Sequence, residues 1–100
     1  MAQEIIKPLC FVIMPFGEIG TEKYEKYKSV YEEIIKRPLE EVGFTCVRGD
    51  EIPDFGPIPE SIKNKLSSAD LVIADLSERN PNVYYELGFR HASAVSKKLV

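Results

Sequence analysis

Residues 80 to 88, "NPNVYYELG", crowd two asparagines, two tyrosines and a carboxylate into what reads as the opening turns of a helix. Asn80 stands where an N-cap belongs, with Pro81 at the first helical position. A helix start of this kind presents unpaired backbone N–H groups and the positive end of a dipole. Glu86 lies about a turn and a half inside, and helical side chains lean back toward the N-terminus. Its carboxylate is therefore expected at the mouth of whatever the helix caps. Asp75 closes the apolar run "DLVIADL" (70–76), and an acid ending a buried strand is costly unless something uses or pairs it. Two carboxylates in one cleft, flanked by tyrosines and asparagines, suit substitution at the anomeric carbon of a sugar. One acid attacks or stabilises an oxocarbenium-like centre while the others orient hydroxyls. Each residue also has an ordinary use. A glutamate near a helix N-terminus is favoured by the dipole and solvated by water, Asn80 is economical as a cap, and Tyr84 and Tyr85 suit packing. The lone His91 has no visible partner and reads as structural.

Three strand-like runs and three helical ones must position these groups. "CFVIMPF" (10–16) is a continuous apolar stretch ended by Pro15, as in a strand buried on both faces. The next segment predicts a helix that Thr21 caps. Tyr24, Tyr27, Val30, Tyr31, Ile34 and Ile35 fall at helical spacing along it, Pro38 is expected to kink or break it, and Gly43 to end it. "FTCVRGDEI" (44–52) predicts a second strand, "PDFGPIP" a loop, and "PESIKNKLSSA" (59–69) a helix with Ile62 and Leu66 inward. After the strand 70–76 comes the helix opened by Asn80, with Val83, Leu87 and Ala94 as its core stripe and Gly88 permitting close approach. "KKLV" begins a fourth strand.

The alternation β-α-β-α-β-α-β implies an α/β fold: a three-layer, flavodoxin-like or Rossmann-like parallel sheet with right-handed crossovers and strand order 2-1-3-4. Such sheets bind ligands at the carboxyl ends of their strands, near the switch point between strands 1 and 3. The ends here are Met14 to Gly17, Arg48 to Glu51 and Asp75 to Ser77, joined by the start of the third helix. The candidate ligand-binding residues are therefore Pro15, Phe16, Gly17, Asp50, Ser77, Asn80, Asn82 and Tyr84, with Glu86 and Asp75 as the candidate catalytic pair.

One hundred residues fit one small domain, here 1–100, and 44% hydrophobic with 29% charged residues is a soluble globular composition. The net charge of −3 with dispersed Lys and Arg argues against a nucleic-acid polymer as partner, though not against a single nucleotide. No run approaches the roughly 20 apolar residues of a membrane span. The N-terminus lacks signal-peptide character, so a cytoplasmic location is expected. Cys10 and Cys46 lack metal-ligand spacing and read as two buried thiols in a reducing compartment. Neither a metal nor a cofactor is expected.

Rival uses of this architecture fit less well. A phosphoacceptor receiver needs acids after strand 1, where this chain has Met14-Pro15-Phe16, and a flavodoxin needs a phosphate loop richer than "PFGEIGTEK". "FVIMPFG", "ADLVIADLS" and "NPNVYYELGFRHA", in this order and spacing, resemble the nucleoside 2-deoxyribosyltransferase-like superfamily. That group is similar in fold to deoxynucleoside 5′-monophosphate N-glycosidases and, more distantly, to bacterial TIR-like domains. The resemblance covers roughly residues 9 to 100 and is most specific at "DLVIADLS" followed by "NPNVYYELG".

The resemblance implies an N-glycosidic-bond enzyme, a nucleoside deoxyribosyltransferase or a nucleotide N-glycohydrolase, acting on a nucleoside, deoxynucleotide or NAD-like ligand. Glu86 would be its nucleophile. Catalytic relatives carry an aspartate on the helix before strand 3 where this chain has Ile62, and some have an acid in place of Asn80. These departures leave open a non-catalytic nucleotide-binding module, or a TIR-like signalling or self-association module. The family's later strands would follow "KKLV", so the chain is expected to be C-terminally truncated. Its uncovered sheet edge predicts a homo-oligomer, a two-fold dimer in the simplest case.

Overall fold

A computed structural model describes residues 7–49 and 60–96. Asp50, Glu51, the "PDFGPIP" loop and the expected fourth strand "KKLV" lie outside the described residues, as does the side chain of Ala94. Strand β1 spans Leu9–Ile13, β2 Thr45–Arg48 and β3 Leu71–Ala74. They form a parallel sheet in the order β2-β1-β3, the order expected for the first three strands. Cys10 stands opposite Cys46 on one side and Leu71 on the other.

Helices cover both faces. On one face lie α1 (Glu22–Ser29), a π-helical segment (Val30–Lys36) and α2 (Arg37–Glu41), on the other α3 (Glu60–Ser68) and α4 (Pro81–Ser96). The pleat of β1 divides its side chains between the two cores. Cys10, Val12 and Met14 pack with Tyr27, Tyr31 and Cys46. Phe11 and Ile13 pack with Ile62, Leu66, Ala69 and Val83. This is why the run reads as continuously apolar: neither face of β1 meets water.

Local signals act as the residue types require. The Thr21 hydroxyl accepts the Tyr24 N–H at 3.2 Å and so caps α1. Gly43, at φ 102°, turns the chain out of α2, while the Gly43 and Phe44 N–H groups donate to Glu40 and Leu39 at 3.1 and 2.9 Å. That pair of bonds is a Schellman closure, and it needs a residue at ease in the left-handed region.

Two expectations are corrected. Pro38 does not break its helix, which runs on from Glu22 to Glu41. The turns before the proline wind wider, in π fashion, which makes room for its ring, and Pro38 sits at the start of the next α segment, where a missing N–H costs least. The wider winding also shifts the phase of the apolar stripe. Ile34, expected inward, is 68% exposed, while Val30, Tyr31, Ile35 and Leu39 pack toward the sheet. The second correction concerns Gly88, which is exposed, with open space among the described residues where a Cβ would be; no close approach requires a glycine there.

No helix among the described residues is long and apolar enough to cross a membrane.

Candidate functional site

The carboxyl ends of β1 and β3 lie side by side, and the chain leaves both through tight turns. After β1, Met14 and Pro15 are buried, Phe16 emerges at 41% exposure, and Gly17 turns at φ 68° against the methylenes of Lys23. After β3, the Asp75 N–H donates to the Ile13 carbonyl at 2.9 Å, extending the ladder by one bond. The Asp75 carboxylate then accepts the Ser77 N–H at 2.8 Å. This bond starts a turn over Ser77–Arg79 in which Glu78 and Arg79 both take left-handed φ values, 64° and 51°. Two successive non-glycine residues in that region are strained, since each Cβ crowds the following carbonyl oxygen.

The turn delivers the chain to α4. The Asn80 side chain accepts from the N–H groups of Asn82 and Val83 at 2.9 and 3.2 Å, the N-cap role its position predicts. Its amide oxygen is therefore committed to the helix. Asn82 is exposed beyond it, as is Ser77. Val83 anchors the first turn in the core, while Tyr84 and Tyr85 remain about half exposed, at 45% and 56%. Neither tyrosine is a packing residue of the described structure.

Glu86 follows one turn after Val83 and is half-buried. Burial pushes its carboxyl up from 4.5 to about 6, and among the described residues no cation pairs with it. From position alone, a solvated carboxylate favoured by the helix dipole is the more ordinary use. The structure has instead a carboxylate whose charged form the fold disfavours. At neutral pH it is ionised, poorly hydrated and basic for a carboxylate, properties that suit a nucleophile or a base.

Four further groups at this edge are absent from the candidate site residues. The Tyr27 hydroxyl donates to Glu78, and Lys23 Nζ pairs with the other oxygen of the same carboxylate at 2.7 Å. The hydrogen bond to Glu78 first, then burial, then the charges of Glu78 and Asp75 push the Tyr27 hydroxyl up to about 12. Tyr27 is thus held as a proton donor facing two carboxylates. The pairing lowers Glu78 in turn, through Lys23 and then Tyr27. Arg48 is the fourth. It ends β2 at only 3% exposure, its guanidinium 5.1 and 5.7 Å from the ring centres of Tyr31 and Tyr24. Its signal was available: Arg48 shares the inward face of Cys46, two residues earlier, where an apolar residue is expected.

Comparison with protein-family models, curated proteins and solved structures finds no match to this chain.

Of the residues expected at the site, Phe16, Gly17, Asp75, Ser77 and Asn80 belong to the two turns at the β1 and β3 ends. Asn82, Tyr84 and Glu86 belong to the first turns of α4. Pro15 is buried beneath. Asp75 and Glu86 approach from different sides of the sheet: Asp75 acts on Tyr27 of the α1 face, whereas Glu86 rides on a helix of the opposite face. Ile62 is 6% exposed within the apolar cluster of Phe11, Ile13 and Leu66. Among the described residues no cluster of His, Cys, Asp or Glu is arranged to hold a metal ion.

Proposed function

We propose that this domain takes a nucleoside, a deoxynucleotide or an NAD-like ligand at the carboxyl edge of its sheet and cleaves or transfers its N-glycosidic bond, with Glu86 as nucleophile. The observation that carries the reading is the state of Glu86: half-buried, lifted to about 6 by desolvation, and without a compensating cation among the described residues. Carboxylates whose charged form is disfavoured by burial cluster at functional sites. Further support comes from the resemblance of "NPNVYYELG" to the segment bearing the nucleophile in deoxyribosyltransferase-like enzymes.

In the reaction, a Glu86 oxygen bonds to the sugar C1′ as the C1′–N bond breaks. The base leaves with the bonding pair; a purine or pyrimidine takes up a proton, whereas a nicotinamide departs neutral without one. Water or a second base then attacks C1′ and releases the carboxylate, giving hydrolysis or transfer. Asp75 and Asn82 orient the ribose hydroxyls. The exposed rings of Phe16, Tyr84 and Tyr85 offer apolar surface for the base.

A non-catalytic nucleotide-binding or signalling module is the second reading. Its specific support is Ile62: an apolar residue packed into the core replaces the acid that helps catalytic relatives orient the nucleophile and handle the departing base. Incubation with a panel of deoxynucleosides, deoxynucleotides and NAD, followed by chromatography of free base, separates the two. Base release by the parent chain and none by Glu86→Gln supports the enzyme. Equal release by both removes Glu86 from the chemistry. Binding without release, in the parent, selects the module.

A further inference from the structure

The Lys23–Glu78–Tyr27 cluster does something that neither catalysis by Glu86 nor core packing requires. Glu78 leaves the end of β3, crosses toward the end of β1 and lands on two donors of α1. It does so from a strained backbone, with left-handed φ at both Glu78 and Arg79. One donor, Lys23, lays its methylenes on Gly17, within the turn after β1. The other, Tyr27, is buried, so its hydroxyl needs an acceptor whatever the turn does. The ion pair itself is about half open to water, 52% and 40% exposed at its two side chains, and an open pair is weak and exchangeable. An ammonium and a buried hydroxyl converging on a carboxylate, at the sheet's switch point, form a receptor for an anion.

We propose that Lys23 and Tyr27 form a seat for the phosphate group of a nucleotide, a seat that the chain's own Glu78 carboxylate fills in this structure. The inference rests on the nucleotide reading of the site and specifies a phosphorylated ligand over a bare nucleoside. A phosphate dianion carries more charge than Glu78 and replaces it on both donors. The displaced turn is then free to leave its left-handed conformation, and the strain released favours the exchange. Asp75, the other nearby anion, is engaged by the Ser77 N–H and stays with the sugar. Glu78 thereby acts as an internal competitor for the phosphate group alone.

The test measures binding by calorimetry, for the parent, Glu78→Gln and Lys23→Gln, with three probes: inorganic phosphate, a deoxynucleoside, and its 5′-monophosphate. Glu78→Gln keeps the shape of the side chain and removes the competing charge. It is expected to bind the monophosphate at least about fivefold tighter than the parent, the lower end of ordinary coupling between sites, with nucleoside affinity unchanged. Lys23→Gln is expected to lose the advantage of the monophosphate over the nucleoside. Equal monophosphate affinity in the parent and Glu78→Gln overturns the proposal, as does a phosphate preference that survives Lys23→Gln. Phosphate titration of the parent followed by amide NMR gives a readout free of any variant. Shifts centred on Gly17, Lys23 and Glu78 support the seat, and shifts elsewhere alone refute it. Should neither nucleoside nor monophosphate bind, the nucleotide reading fails, while inorganic phosphate binding to Glu78→Gln but not to Lys23→Gln still identifies the anion seat.

Discussion

Replacing Glu86 by glutamine keeps the side chain's shape and removes its charge, so the change isolates what the fold spends on holding a carboxylate there. The carboxyl is raised from 4.5 to about 6 by desolvation. At about 1.36 kcal/mol per factor of ten in acidity, that rise corresponds to roughly 2 kcal/mol at full weight. The group is only half-buried and water still screens it, so about 1 kcal/mol is the working figure. Its sign follows from proton binding. Between pH 4.5 and about 6 the folded chain holds a proton on Glu86 that the unfolded chain has lost. Stability is therefore fully present below 4.5, falls as pH rises through about 6, and stays lower above it. Glutamine escapes this loss. Glu86→Gln is expected to melt about 5 °C above the parent at pH 7.5, as roughly 1 kcal/mol implies for a domain of this size, and level with it at pH 4. Thermal unfolding followed by circular dichroism at the two pH values measures both. A variant that melts at or below the parent at pH 7.5 refutes the buried carboxylate, and so does a gain that persists unchanged at pH 4. The same variant is expected to lose base release, so a rise in melting temperature would accompany a loss of function.

Other perturbations have separate physical origins. Leu66→Ala, at a fully buried position against Phe11 and Ile13, is expected to lose about 3 kcal/mol in urea unfolding. Arg79→Gly relieves an exposed residue at φ 51° and is expected to gain about 0.5–1 kcal/mol by the same measurement, net of the added freedom of the unfolded chain. Cys10 and Cys46 are buried thiols outside any disulfide, and burial first, then the neighbouring Cys46, pushes the Cys10 thiol up to about 12. Both are expected to resist a thiol-reactive disulfide reagent at pH 8 in the folded chain and to react promptly in denaturant.

The parallel sheet was legible because its signals are local and repeated: apolar runs of strand length separated by helical ones, with Thr21, Gly43 and Asn80 marking ends through their own side-chain or backbone chemistry. The exposure of Ile34 was not legible. It depends on a change of helical winding before Pro38, and a fixed period of 3.6 carries no information about that. Asn80, Asp75 and Glu86 were found as types at positions. The state of Glu86 depends on how much water the packed helix leaves around it, which is a property of the assembled chain. Lys23, Tyr27 and Glu78 were missed for a similar reason. Tyr27 fits the core stripe, Lys23 and Glu78 look like surface charges, and what unites them is a contact between residues 51 positions apart. Arg48 is a different case, since strand alternation alone flags an arginine facing inward.

The division of β1 between two cores bears on how the chain assembles. Its pairing with β2 joins Leu9 to Thr45, roughly 36 positions away, and its pairing with β3 joins Cys10 to Leu71, roughly 61 away. Loop-closure entropy grows so slowly with length that these two closures differ by only about 0.5 kcal/mol. Neither pairing is entropically favoured to come first, and each leaves one flank of β1 unpaired until the other forms. Helices fold early in such chains, but the sheet waits on contacts distant in sequence, which slows the rate-limiting step relative to a helical bundle of equal length. On the ribosome, β1 emerges before both of its partners, and its β3 flank stays unpaired, with Phe11 and Ile13 uncovered, until the segments carrying β3 and the helices of that face have been made. The strand that unifies the folded domain is also its longest-lived hazard for aggregation during synthesis.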